Sequence, residues 1–580
     1  MLLGPIFRAE MVTSARRRRY FVLRVVYAIL ILFLLWGSYA QLTYYGRQIS
    51  IQDVASVTAS FFYSYAWLQL LGVLAVGPAM VAGTIATERS RRTIEYLFAT
   101  QLSNSEIVLG KLTARLLSVA YLVAVGLPIL AIFRLLGGIP AEQLLLVFAV
   151  TGSTMVLVAS VSICISVWSQ RPRDAVMRSY LFLIAFLFVP LMLTPGPLLS
   201  LPQWLQDANG YLLSVNPVWM MASISMGFSF PVAGTHPIRD FLLGQTGISL
   251  VCIGLATMAV RQVHLRASGA PAKRRRWESF SLPRLRLPLG AEPMLWKELF
   301  ARHSITRLGV AGRIVVLLLV GAVTTLNVAT YTASSYASVG ARQYFAASMG
   351  AAVGCVGLLL IAARAAGAVA GEKEEETWDA VLSTPLSARQ IVLAKFAGNL
   401  YAARWLVVFL LTIWVPGLHQ MSGFLFRLAL LLATFGVLLL FAVGLGTWSS
   451  MISKTSLRAL GPTLVIAFFV GGGYFFCCIP VFFVGTSPLG EIMLAPCIPF
   501  LLYAPAVVLD TDVISIEPNL VDAYIVGMIG YTCVSLLMVF TAIASFDTVQ
   551  GRLDAITSEM AARRAGPKAM RRTPPATLQE

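Results

Sequence analysis

The side chains that usually carry chemistry are thinly spread in this sequence. Seven Cys (Cys164, Cys252, Cys355, Cys477, Cys478, Cys497 and Cys533) and four His (His236, His264, His303 and His419) show no CxxC or Cys–His ligand spacing, so no metal site is expected. The phosphate-cradling pattern GxxxxGK[ST] occurs nowhere, and no polar stretch is long enough for a nucleotide-binding domain. No catalytic, cofactor-binding or metal residue is therefore expected. Polar residues are grouped regularly in two charged islands, residues 83–111 and 367–395. The pattern there suits a fixed shape rather than bond chemistry.

The islands are copies of each other. Gly83 to Lys111 reads GTIATERSRRTIEYLFATQLSNSEIVLGK, and Gly367 to Lys395, 284 positions later, reads GAVAGEKEEETWDAVLSTPLSARQIVLAK. Of 29 positions 11 are identical, where composition alone gives about two or three, so this is an internal repeat. Ile94, Leu97 and Phe98 in one copy, and Trp378, Val381 and Leu382 in the other, lie at i, i+3, i+4 and share a helix face. Ser103 stands three before Glu106 and Ser387 three before Gln390, the spacing of a capping box, each ahead of an apolar run. Each copy reads as a short helix, a break at Thr100 to Leu102 or Thr384 to Leu386, and the start of a new helix. Pro385 suits the break because it disfavours a helical conformation in the residue before it.

A membrane must position these elbows. The chain has 580 residues, 58% hydrophobic and 12% charged, where soluble chains carry about 25% charged residues. Apolar runs long enough to cross a bilayer recur along it, with ends near 21–41, 59–87, 112–136, 143–168, 175–200, 241–262, 311–331, 345–371, 396–416, 422–448, 457–485 and 520–546. The expected fold is an all-α polytopic membrane protein of about twelve spans. With the N-terminus in the cytoplasm, 39 Lys and Arg fall on the inner side and five (Arg47, Arg134, Arg239, Arg342 and Arg427) on the outer. That split sets the orientation, with both termini cytoplasmic. The net charge of +18 is thus a topology signal, and the lipid bilayer rather than nucleic acid is the expected partner. Arg16 to Arg19 precede a run long enough to span and stay, so no cleavable leader is expected.

The chain divides into two six-span halves, residues 1–262 and 293–550, with a basic Pro-rich linker at 263–292 and a charged tail at 551–580 that is expected to be disordered. Both halves open alike: Pro5 to Glu10 matches Pro293 to Glu298, and the first reads as an interfacial helix. The loop Trp168 to Arg178 is echoed by Trp448 to Arg458 at an offset of 280, and Asn216-Pro217 pairs with Ala504-Pro505. The outer segments at about 201–240 and 486–519 stay apolar and Pro-rich, which suits a re-entrant or surface position. An even span number per half inserts both the same way up, related by a pseudo-two-fold axis along the membrane normal. No Asp or Glu falls in the interior of a span, Glu88, Glu372 and Asp522 sitting at edges, which disfavours a carrier with a buried proton or sodium relay. Arg134 and Arg427 are expected to snorkel, Arg364 to form a structural pair, and Gln69 and Asn327 to hydrogen-bond between helices.

The motif G-x-x-A-x-E-(charged)4-T, followed by T-[QP]-L-S-x-x-[EQ]-I-V-L-x-K, resembles the permease subunits of type-2 ABC exporters, and the likeness of layout covers both halves. The resemblance implies that the islands at 88–110 and 372–394 hold coupling helices where a separate ATPase docks, with two ATPase subunits per transporter and ATP and Mg bound there. It implies coupling residues Glu88, Thr93, Ile94, Glu95, Leu97, Phe98, Thr100, Leu102, Ser103 and Lys111, and Glu372, Thr377, Trp378, Asp379, Val381, Leu382, Thr384, Pro385, Leu386, Ser387 and Lys395. Among them Ile94, Leu97, Phe98, Trp378, Val381 and Leu382 are candidates for the face that meets the ATPase, the alternative being packing on the chain's own span ends. Glu88, Glu372, Lys111 and Lys395 are the implied junction residues. Positions 89–92 are basic where 373–376 are net acidic, so two unequal docking surfaces are expected. The implied activity is ATP-driven export of a hydrophobic or amphiphilic substrate across the inner membrane. An ion-gradient carrier, and an anchor or sensor that recruits an ATPase without transport, remain as alternatives.

Overall fold

The computed structural model describes residues 5–15, 21–22, 24–32, 35–36, 51–91, 93–100, 102–128, 140–192, 203–226, 237–269, 293–301, 321, 339–384, 386–473, 494–507, 518–544 and 546. Among them the regular elements are all helical. The first half holds α1 (Pro5–Ala15), α2 (Ile51–Val81), α3 (Gly83–Ser90), α4 (Ile94–Ala99), α5 (Asn104–Ala124), α6 (Ala141–Trp168), α7 (Pro172–Met192), α8 (Gln203–Ser214), α9 (Pro217–Met226) and α10 (Pro237–Gly269). The second holds α11 (Pro293–Trp296), α12 (Val339–Ala365), α13 (Ala370–Glu374), α14 (Trp378–Leu382), α15 (Ala388–Ala402), α16 (Arg404–Leu418), α17 (Phe424–Ile452), α18 (Ser456–Phe468), α19 (Ile498–Val507) and α20 (Pro518–Ala544).

Among the described residues seven stretches are long and apolar enough to cross a membrane: Val57–Ser90, Ala141–Trp168, Pro237–Val263, Arg342–Ala365, Ala388–Leu418, Phe424–Ile452 and Leu520–Ala544. They coincide with seven of the expected spans. The other five, 21–41, 112–136, 175–200, 311–331 and 457–485, lie wholly or partly outside the described residues, as do Arg134, Asn327, residues 270–292 of the linker and the tail at 551–580; residues 263–269, expected to begin the linker, instead continue α10 to Gly269. The chain is an all-α polytopic membrane protein.

Close helix contact in the second half depends on a missing side chain. A Cβ on Gly446 of α17 would lie 2.6 Å from the Ala362 carbonyl oxygen and 2.6 Å from Ala365 Cβ, so only glycine lets α17 and α12 approach this far. The halves themselves meet through small residues. Ala82, Ala86, Ala175 and Val176 pack against Ala363, Ala366, Ala370, Ala459 and Leu460 of the other half. The contact joins the start of α7 to α12 and α18.

Several polar expectations resolve differently. Arg427 does not snorkel. It is buried and donates from Nε to the Ser422 carbonyl (3.1 Å) and from Nη1 to the Ala506 carbonyl (3.1 Å). The short helix α19 inserts among the spans and buries its last carbonyls, which have no partner within the helix. Arg427 and Gln343, whose Nε2 donates to Ala506 O at 2.6 Å, supply the missing donors. Arg364, for which a structural pair is expected, donates from Nε to the Asn399 amide oxygen (3.2 Å). Gln69 is buried with both side-chain ends unpartnered, so it makes no inter-helix bond. The Trp168/Trp448 register is also corrected. α6 ends at Trp168 and α17 at Ile452, and α7 and α18 begin at Pro172 and Ser456, so the offset here is again 284. Pro217 opens α9 whereas Pro505 lies inside α19, so those two prolines are not equivalent.

Candidate functional site

Each elbow is fixed at its start by one serine. The first amides of a helix have no partner within it. Ser166 Oγ accepts from the amides of Ile85 (3.2 Å) and Ala86 (3.1 Å) at the start of α3. Ser450 Oγ accepts from Val369 and Ala370 (both 2.9 Å), each member displaced by 284 residues. Thr93 and Thr377 then close the turn. Their amides donate to Glu88 O (2.9 Å) and Glu372 O (3.0 Å), and their hydroxyls reach the same carbonyls at 3.3 Å.

Each elbow is fixed at its far end by a buried lysine. Lys111, on α5, forms ion pairs with Glu88 of α3 and with Glu10 of α1 (3.3 Å), and Arg115 holds the other oxygen of Glu10 (3.1 Å). Lys395, on α15, pairs with Glu372 (2.8 Å) and Glu298 (3.2 Å) and donates to the Ala368 carbonyl (3.0 Å), while Lys297 reaches Glu372 at 3.3 Å. Among the described residues each cluster therefore holds two cations and two anions, whose formal charges cancel. Neutrality matters because an unpaired ammonium out of water is costly. The lysine side chains are both 2% exposed, but Glu10 and Glu88 are 21% and 24% exposed where Glu298 and Glu372 are 7% and 2%. The second cluster is the drier one. Through Glu10, α1 is fastened to α5, and Ile6 packs beside Gly110.

The elbow helices α4 and α14 turn their apolar faces inward. Ile94 is buried against Val81, Ile85, Val108, Leu112, Ile163, Val167 and Val260, with Phe98 at the margin. Trp378 and Val381 are buried among Met294, Val369, Ile391, Val392, Met451, Ala542 and Phe546, with Leu382 and Leu386 at the margin. Lys395 Nζ lies 5.8 Å from the Trp378 ring centroid and Arg261 lies 6.0 Å from that of Phe98. Ile94, Trp378 and Val381 of this face thus pack on the chain's own spans, as the packing alternative has it, while Leu97, Phe98 and Leu382 are half-buried. What stands open is the opposite side, Glu95, Tyr96 (77% exposed) and Ala99 in one copy and Asp379, Ala380 and Ser383 in the other. Leu97 and Leu102 are half-buried, and Thr93, Thr100 and Thr377 are exposed. The Thr100 and Thr384 hydroxyls donate to Leu97 O and Val381 O (both 2.6 Å). Pro385 lies outside the described residues.

Both capping boxes are formed. The Ser103 amide donates to Glu106 Oε2 (2.8 Å) and the Glu106 amide to Ser103 Oγ (3.2 Å). Ser387 and Gln390 repeat this at 2.9 and 3.2 Å. The Ser103 backbone N–H, and then its hydroxyl, hold the Glu106 carboxyl below its ordinary range. The charge contrast is narrower than the four-residue blocks suggest. Arg89 Nη1 donates to Ser169 O (3.4 Å) and Lys373 Nζ to Met451 O (2.6 Å), so both copies place a cation on the end of α6 or α17. The contrast begins one residue later, at Ser90 and Arg91 against Glu374 and Glu375. Ser166, Ser450, Glu10 and Glu298 were not picked out as site residues. The matched offset that links the islands would have found the serines, and the Pro5–Glu10 match already contained the glutamates.

Two outcomes follow from this geometry. Lys395→Met removes the ammonium that buried Glu298 and Glu372 share, Glu372 keeping Lys297, and is expected to destabilise the chain by about 3–5 kcal/mol. Lys111→Met, with partners near water, is expected to cost less, about 1–3 kcal/mol; thermal unfolding in detergent measures both. A lowered carboxyl pKa stabilises above the usual carboxylate range and stops doing so as pH falls through the lowered value. Acid should therefore raise amide exchange at Ser103, corrected for intrinsic rate, while Ser387, held by a non-titrating glutamine, is unchanged.

Two family models, each described as ABC-2 family transporter protein, match the chain, one over residues 38–326 and one over residues 325–482. The first match includes the linker, so the matches divide the chain differently from the repeat. No curated protein and no solved structure matches.

Proposed function

The chain belongs to the ABC-2 family of transporters, and from that premise we propose that it takes mechanical work from two separate ATPase subunits through its two elbows. One observation carries the reading. Each elbow is rigidly held on one side and open on the other. Its apolar face is packed into the inner ends of the spans and its base is clamped by a buried lysine, while Tyr96 and Asp379 stand on the free side. A push on the free side must move the spans, because a packed face transmits strain rather than absorbing it.

In this mechanism the ATPase pair closes on ATP, the elbows shift, and the path between the halves turns from inward- to outward-facing. The nucleotide can bias that equilibrium only through its different affinity for the two states. The permease makes and breaks no bond. The seam of small apolar residues supports a hydrophobic or amphiphilic substrate exported across the inner membrane, since among the described seam residues fixed charge lies at the rim, on Arg171, Arg173 and Glu375.

Purification of the full chain in mild detergent tests the reading. A Walker-A protein is expected to co-purify, and Tyr96→Ala combined with Asp379→Ala should lower its recovery about tenfold, as loss of interface anchors does. Transport that survives ATP depletion while the ion gradient persists would instead identify a gradient-driven carrier. ATPase binding without flux would identify an anchor.

A further inference from the structure

The two halves do not meet symmetrically at their cytoplasmic rim. Arg171, in the loop after α6, forms an ion pair with Glu375 of the second elbow, 204 residues away. Two residues on, Arg173 Nη1 donates to the Gly367 carbonyl at 3.5 Å. Any side chain at Gly367 would run into the Arg173 guanidinium, and a Cβ on Gly371 would lie 3.3 Å from it. Two arginines of the first half thus lie along residues 367–375 of the second. Beside them, Glu374 Oε2 accepts from the Ser456 amide (3.3 Å) and helps to fix the same turn on its other side. Glu376 follows with φ +58°, the only positive-φ residue other than glycine among those described. A left-handed glutamate is strained and persists where its surroundings hold it.

The related arm, displaced by 284 residues, has none of these charges in place. Arg171 corresponds to Thr455, Arg173 to Leu457, Gly367 to Gly83 and Glu375 to Arg91. Leu457 Cδ2 lies 3.5 Å from where a Cβ on Gly83 would sit, an ordinary apolar contact. The Thr455 hydroxyl is occupied as the cap of α18, accepting from the Arg458 amide. Arg91 is exposed, and Thr455 offers it no carboxylate.

We propose that Arg171, Arg173, Gly367 and Glu375 form a clasp on one arm only, tying the second elbow to the first half. The second elbow and the loop of residues 169–175 then move as one piece, and among the described residues the first elbow has no such tie. The acidic run of the second copy serves a contact inside the chain, rather than marking a different docking partner. The pair is half-exposed, so it holds weakly enough to open during a cycle.

Hydrogen exchange on the full chain in lipid nanodiscs, with no ATPase present, tests the clasp independently of the proposed function. Glu375→Gln and Arg171→Gln should each raise exchange about two- to fivefold in both 169–175 and 367–377, the range for loss of an exposed pair. Arg171→Glu combined with Glu375→Arg should restore protection in both segments, and Arg91→Gln should change neither. Exchange that rises only in the segment carrying the substitution, that does not rise at all, or that the charge swap fails to restore, overturns the clasp. Raising salt to about 1 M should loosen both segments together in the unaltered chain, because screening acts on exposed pairs; equal protection at low and high salt also overturns it.

Discussion

A buried ammonium group holds each half of this protein together at its elbow. Lys111 and Lys395 each draw in a carboxylate from the preceding elbow and another from the helix that opens the half. Three segments far apart in sequence are thereby fixed at one point. The arrangement is tolerable because each ammonium is paired, and among the described residues Arg115 or Lys297 balances the second carboxylate. Everything proposed for the elbows depends on this, since a lever that is not anchored transmits nothing.

The two anchors differ in kind. In the first half both carboxylates reach water, and in the second neither does. The drier cluster also lies in the half whose elbow is tied across the seam by Arg171. Both differences point the same way: the second elbow is the drier of the two and has the ion pair to the other half. A fused chain permits this, because its halves can diverge while a symmetric dimer's cannot.

Much of this was legible in the sequence. The islands, the capping boxes and the seven described spans appear as read, because caps and apolar runs act locally. The direction of the elbow's apolar face was not legible. Period alone says that Ile94 and Trp378 share a face with their neighbours, not whether their own spans or another protein covers it. Arg427 was misjudged for a related reason: its partner carbonyl at Ala506 comes from α19, nearly eighty residues on, and nothing local signals it. The serines at 166 and 450 sit in apolar helices, where a hydroxyl usually bonds back to its own helix. The 280-residue echo arose from matching Trp and Arg side chains in a loop whose register is set by the span ends instead.

Photo-crosslinking in intact cells tests the lever most directly. A crosslinker placed at Tyr96 or Ala380 should capture an ATP-binding polypeptide, with a yield that changes when nucleotide is depleted, while one at Ile94 or Val381 should give only links within the chain. Capture of a partner from Ile94 and Val381 but not from Tyr96 and Ala380 would contradict the account, because the elbows would then present the face that here is packed against their own spans.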